Sequence, residues 1–308
     1  MPRPGVSRPP PNWGHALERV VRTPAAHRRP VDVAFVRAVL RCSDAELETL
    51  RDIMGTGGET FDAFDVWNVG LYSGSRASRP ELEMAYHRRL LTVDGDWTGP
   101  VDFRFTLAAT CPSGGGCDST LWSRPEITGA RWTRSAVDRG SATWAGEVRQ
   151  SGIRSTIRHR PVGALWRSAV ESYRYHYTSP PLAAEVPTTR RRRVGDCTAL
   201  SELLVAEFGA QGIPARTGDG FLFGGHTARV HRWAEVRDSD GVWKPLDLSM
   251  ALLAGEFLPA GYREFCFGGL PNRLVHVSGE AGVMVRHRCR AGTSWLEPVV
   301  RGTTVVAV

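Results

Sequence analysis

Apolar positions at helical spacing mark four stretches of this chain. Within residues 32–56, Phe35 and Val36 are followed one turn later by Val39 and Leu40. Ser43-Asp44-Ala45-Glu46 then reads as a capping box that opens a second helix through Met54. Residues 80–91, after Arg79-Pro80, predict another helix, and so do residues 161–174, with Leu165, Trp166, Val170 and Tyr173. After Gly195, Leu200, Leu203, Leu204 and Phe208 recur on one face until Gly212 and Pro214 end the pattern. Elsewhere the alternation has period two. It runs through residues 101–155, as in Phe103-Arg104-Phe105-Thr106-Leu107. Residues 231–236 and 242–248 predict two strands joined by the turn Asp238-Ser239-Asp240-Gly241. Residues 265–270 and 273–277 read as closing strands of the same sheet, and residues 283–307 carry β text to the end. The expected class is α+β.

Composition adds boundaries. Charged residues at 23% and hydrophobic ones at 42% are those of an ordinary soluble protein, and 308 residues suffice for a large core. The proline- and arginine-rich stretch 1–30 lacks an apolar segment of signal-peptide type and is expected to be disordered. Residues 31–155 form an expected helical and β-rich region, and 156–308 the expected catalytic domain. No apolar run is long enough for a membrane span, and the expected compartment is the cytoplasm, where thiols stay reduced. The net charge is +7, and Lys244 is the only lysine. A basic surface attracts acidic partners, but no nucleic-acid motif accompanies it. Cys111 and Cys117 flank a glycine-rich loop that can close a bridge. A zinc site there needs more ligands than the local sequence offers, so no metal or cofactor is expected. The Asp238–Gly241 turn lacks the later ligands of a calcium loop.

The chemistry-bearing residues lie in the second half. Cys197 begins the helix after Gly195-Asp196, where unpaired N–H groups and the helix dipole favour a thiolate and can hold an oxyanion. A hairpin loop centred on Ser239 places His231 opposite Asp247 on adjacent strands. The carboxylate then orients one imidazole nitrogen and leaves the other for the thiol, which are the three parts of nucleophilic acyl transfer. His226 is the alternative base. Trp233 shares a strand face with His231 and is a candidate wall of the site. Arg190, Arg191, Arg192 and Arg193 precede the Gly-Asp-Cys turn. They read either as a solvated charged loop or as a docking point for an anionic substrate or an acidic carrier protein.

Gly-Asp-Cys opening a helix, Gly212-Ile213-Pro214-Ala215-Arg216 after it, His231-x-Trp233-x-Glu235-Val236 and Trp243-x-x-x-Asp247 together resemble the transglutaminase-like superfamily. The order Cys, His, Asp and the separations of 34 and 16 residues resemble it too. The resemblance covers roughly residues 160 to 275. It implies a papain/transglutaminase-like core, with the helix bearing the cysteine packed on an antiparallel sheet bearing His and Asp, here with an N-terminal α+β extension. It also implies acyl transfer through a thioester, and an upstream polar or aromatic group at the oxyanion site, for which Tyr177 or Tyr175 is placed. The expected function is cysteine-dependent acyl transfer, favouring amide-bond formation on a small-molecule or carrier-bound acyl group, with an amine or water as acceptor. A peptidase or deamidase is the alternative within this class, and a non-catalytic interaction module that kept the fold is the alternative outside it.

Overall fold

The structure of the protein is a computed structural model. It describes residues 11–54, 60–74, 84–85, 88, 96–113, 117–223, 228–259, 261–279 and 282–306. In chain order the helices are α1 (Trp13–Arg19), α2 (Val33–Leu40), α3 (Asp44–Met54), α4 (Ala63–Ser73), α5 (Arg160–Ser172), α6 (Pro180–Ala183), α7 (Val186–Arg192), α8 (Cys197–Ala210), α9 (Leu248–Leu253) and α10 (Tyr262–Phe265). The strands are β1 (Pro30–Val31), β2 (Phe61–Asp62), β3 (Val101–Thr110), β4 (Leu121–Ser123), β5 (Glu126–Ile127), β6 (Arg131–Asp138), β7 (Ser141–Gln150), β8 (Ile153–Arg154) and β9 (Arg174–Tyr175). They continue with β10 (Val194–Gly195), β11 (Ala215–Phe223), β12 (Ala228–Arg237), β13 (Trp243–Leu246), β14 (Gly269–Leu270), β15 (Leu274–Ser278), β16 (Val285–Cys289), β17 (Gly292–Leu296) and β18 (Val299–Val306).

The central sheet is antiparallel, in the order β13-β12-β11-β15-β5. Both faces of its middle are covered, and the side chains sort by strand alternation. Leu222 and Leu274 join the helical core with Leu200, Leu204 and Phe208 of α8. Phe221, Phe223, Val275 and Val277 join a second core with Phe103, Phe105, Leu107 and Trp144 of the sheet β18-β3-β7-β6. Phe103 stacks on Phe223 at 4.8 Å between ring centroids. The class is α+β, with a cysteine-bearing helix on an antiparallel sheet.

Several expectations need correction. Residues 12–31 are structured: the Asn12 side chain caps α1 by accepting the His15 N–H, Trp13 Nε1 donates to Glu46 at 2.8 Å, and Ala16 is fully buried. A few anchoring contacts outweigh the proline content. The division at residue 155 is not a structural boundary, because β18 returns to pair with β3, β5 extends the central sheet and β14 pairs with β8. Residues 265–270 are the end of α10 and the short β14, rather than a strand of the central sheet. The helix expected at 80–91 falls largely outside the described residues. Among the described residues, no helix is long and apolar enough to cross a membrane.

Helix α4 escapes a periodicity reading because ten of its eleven residues are buried, leaving no polar stripe. The capping box at Ser43 is present, with Glu46 Oε2 accepting from the Ser43 N–H at 2.7 Å.

The chain's lone lysine sits in the hairpin. Buried Lys244 Nζ donates to Asp238 Oδ2 and Asp240 Oδ2, both at 2.6 Å, and to the Thr156 carbonyl at 2.7 Å. Asp238 also accepts the N–H groups of Arg158 and His159 at the approach to α5. Burial alone would raise the Asp238 carboxyl, but Lys244 and these amides hold it well below the ordinary range. The carboxylate turn that faintly suggested a calcium loop is thus tied to an ammonium. Lys244→Met leaves Asp238 buried and unpaired and is expected to cost about 3–5 kcal/mol in urea unfolding. Because the folded Asp238 carboxyl is depressed, its contribution is complete above the unfolded value of about 3.9 and is lost as pH falls further. The stability difference between wild type and Lys244→Met is therefore expected to shrink in strong acid.

Candidate active site

Each residue of Gly195-Asp196-Cys197 has a local reason. Gly195 fits where a Cβ would lie 2.8 Å from the Ala199 Cβ, and its carbonyl accepts the His176 N–H at 2.9 Å. Asp196 is the N-cap of α8, its Oδ1 accepting the Ala199 N–H at 3.0 Å. Burial raises its carboxyl despite that bond. Cys197 is the first helical residue and is half-buried.

His231 lies on β12, with Gly220 of β11 as its register partner. Its Nε2 is 2.7 Å from Asp247 Oδ2, and both side chains are buried. The expected register differs by two residues. Ala234 pairs with Leu246 and Val236 with Lys244, so the hairpin centres on Asp240 and β13 ends at Leu246. Asp247 reaches His231 by another route. It is the N-cap of α9, with Oδ1 accepting from the Met250 N–H at 3.1 Å and the Ser249 hydroxyl at 2.9 Å, which leaves Oδ2 for the imidazole.

Burial pulls the His231 pKa down, but the Asp247 charge and hydrogen bond, with a hydrogen bond to the Cys197 sulfur and its charge, outweigh it and raise the value to about 10. With Asp247 on Nε2, the Nδ1 side is left for Cys197. The ring is therefore held as imidazolium at neutral pH, between a carboxylate and a thiol.

These groups face a cavity of about 320 Å³. Its polar lining includes Cys197, Thr198, Asp196, His231, Tyr175, Tyr177, Arg229 and Glu297, and its apolar lining Trp67, Met84, Leu222, Met250 and Leu253. Tyr175 and Tyr177 meet edge to face at 5.4 Å and share a hydrogen bond. Their backbone is held from α4: Asn68 donates to the Tyr177 carbonyl at 3.0 Å and accepts its N–H at 2.8 Å, and the Tyr72 hydroxyl donates to the Tyr175 carbonyl. Sequence reading missed Asn68, since nothing near it in the chain signals a partner 109 residues away.

The remaining candidates are placed differently. Trp233 is fully buried and does not line the cavity; its ring lies behind His231, at 23° to the imidazole plane. Gly218 and Gly220 lie within β11, where a Cβ would meet the Trp233 ring at 2.5 and 3.2 Å. The arginine run is the last turn of α7, with Arg193 in the left-handed cap, and none of it lines the cavity. Arg190 bonds Glu207 of α8, Arg191 bonds Thr188, and Arg192 donates to the Val21 and Arg22 carbonyls. His226 lies outside the described residues.

Residues 149–248 match the family model of the transglutaminase-like superfamily. This segment is transglutaminase-like. Among solved structures, a protein described as a putative cysteine protease from Cytophaga hutchinsonii is similar at 12% identity and a TM-score of 0.37, over 68% of this chain and 90% of that one. A structure described as a TGase is similar at 12% identity and a TM-score of 0.24, over 39% of this chain and 45% of that one. No curated protein matches.

Cys42 is also half-buried, but burial raises its thiol and, among the described residues, its charged neighbours are Glu46, Arg37 and Asp44 rather than a histidine. Substoichiometric iodoacetamide at mildly acidic pH is therefore expected to label Cys197 before Cys42 and Cys266, read by peptide mapping. Preferential labelling of Cys42 would remove the case for an activated thiol in the cavity.

Proposed function

We propose that this chain is a cysteine-dependent acyltransferase working through a thioester. The reading is carried by one observation: a single buried imidazole bonded on one side to Asp247 and on the other to Cys197, at a cavity. In this reading Cys197 has given its proton to His231, and the thiolate sulfur attacks the donor carbonyl carbon. His231 gives its Nδ1 proton to the leaving amine or thiol, and the collapsing intermediate leaves an acyl–sulfur bond. An amine or water then attacks the thioester, His231 takes its proton, and the thiolate leaves. The N–H of Cys197 at the start of α8 and a hydroxyl from Tyr175 or Tyr177 stabilise the oxyanion.

The apolar lining residues of the cavity suit an acyl chain. By limiting water around the thioester, they favour resolution by an amine and thus amide-bond formation. Resolution by water would make the same residues an amidase or peptidase.

The test uses apolar thioester and amide donors with and without a primary amine. Cys197→Ala and His231→Ala are each expected to abolish acyl transfer. Asp247→Asn is expected to lower kcat by at least ~10², because the amide allows the wrong tautomer. If Cys197→Ala binds and processes donors like wild type, the catalytic reading fails. If water competes equally with amine at every amine concentration, the amide-forming reading fails.

The pH profile follows from the raised imidazole. For an amide donor, kcat/KM is expected to fall on the alkaline side as pH rises towards about 10, where His231 loses its proton. Asp247→Asn removes the charge that opposes burial, so its alkaline limb is expected at lower pH.

A further inference from the structure

Far from this site in sequence, four metal-ligating side chains converge. Cys111 follows β3, Cys117 precedes β4, and His287 and Cys289 sit two residues apart on β16, which puts them on one strand face. Their ligand atoms all lie within 4.8 Å of one another. Cys117 Sγ is 3.2 Å from His287 Nε2. Cys111, Cys117 and His287 are buried and Cys289 is half-buried, and none of the six cysteines, three inside this group and three outside it, is in a disulfide.

We propose that Cys111, Cys117, His287 and Cys289 form a structural zinc site. Three observations carry this. The donor set of three sulfurs and one imidazole nitrogen is a complete tetrahedral set for Zn²⁺ and leaves no open position for substrate. The spacing fits, since Zn–S bonds of about 2.3 Å and Zn–N bonds of about 2.0–2.1 Å separate tetrahedral ligand atoms by roughly 3.5–3.8 Å. The histidine is also prepared. Its Nδ1 is 3.1 Å from the Leu121 carbonyl, which fixes that nitrogen as the donor and leaves Nε2 with a free lone pair towards the cysteines. Trp122 stacks on the same ring at 3.8 Å. No oxidation is involved: each thiol releases its proton to solvent as its sulfur bonds the ion.

The site joins the turn after β3 to β16, two segments 170 residues apart between Cys117 and His287. Closing so long a loop removes entropy from the unfolded chain. The clamp braces the sheet whose Phe103 and Phe105 pack on Phe223 of the central sheet. Local spacing does not reveal it, because only the fold adds the second pair of ligands to Cys111 and Cys117.

The test is elemental analysis of untagged full-length protein grown with zinc and passed through gel filtration. One zinc per chain is expected in wild type and in Cys197→Ser, with loss of the metal in Cys111→Ser and Cys289→Ser. Co²⁺-exchanged wild type is expected to show the visible absorption of tetrahedral cobalt thiolate, a readout that does not depend on the folding of any variant. Removal of zinc is expected to lower the thermal midpoint. Substoichiometric metal in wild type, a Cys111–Cys117 disulfide in nonreducing peptide maps, or loss of zinc from Cys197→Ser alone would overturn the proposal. Because Cys197→Ser removes the proposed nucleophile and not a zinc ligand, failure here is separable from failure of the acyltransfer reading.

Discussion

The geometry of the site depends on one carboxylate serving two neighbours. Asp247 Oδ1 holds the first turn of α9 and Oδ2 holds the imidazole. Its own N–H donates to the Cys266 carbonyl, so the backbone is fixed as well. The position of this group is therefore set by the exit from β13 into a helix, and not by cross-strand pairing. That is why a two-residue change of hairpin register leaves the contact intact. A buried imidazolium needs such a partner, since in a water-poor site an unpaired charge would lose its proton instead.

The same rule of paired burial organises the hairpin itself. Its turn carboxylates meet Lys244, and Arg232, next to His231, forms a two-pronged bond to Asp219 of β11 and reaches Glu202 of α8. Strand, neighbouring strand and cysteine-bearing helix are thus tied together one residue from the imidazole. Trp233 adds rigidity from behind, in space that two glycines leave open.

Much of this was legible where local chemistry and global fold agree. The helix at Cys197, the strands on either side of Asp238–Gly241 and the capping box at Ser43 all follow from short-range pattern. What stayed hidden depended on distance or on burial from every side. Helix α4 shows no amphipathic stripe because it has no wet face. Asn68 grips a backbone 109 residues away. The arginine run reads as a charged loop, but a helix end with carbonyls and carboxylates in reach absorbs much of it. Proline content suggested disorder up to residue 30, but from residue 11 on the chain is held by Trp13 on Glu46, by the Asn12 N–H on the Ser73 carbonyl and by Thr23 on Asp65.

The matched segment ends at residue 248, but the cavity does not. Trp67 and Met84 come from before it, and Ser249, Met250, Leu253 and Glu297 from after it. The tyrosine pair lies within the segment yet takes its backbone position from Asn68 and Tyr72 outside it. The matched segment therefore contains the thiol, the imidazole and the carboxylate, while residues beyond it supply most of the apolar lining. On the proposed reading, reacting groups and most of the apolar lining come from different parts of the chain. In acyl transfer that separation has a physical meaning: the reacting carbonyl is the same in every donor, and only the groups attached to it distinguish one from another. In the acyl transfer proposed for this chain, the cavity residues outside the matched segment are the ones placed to contact those groups.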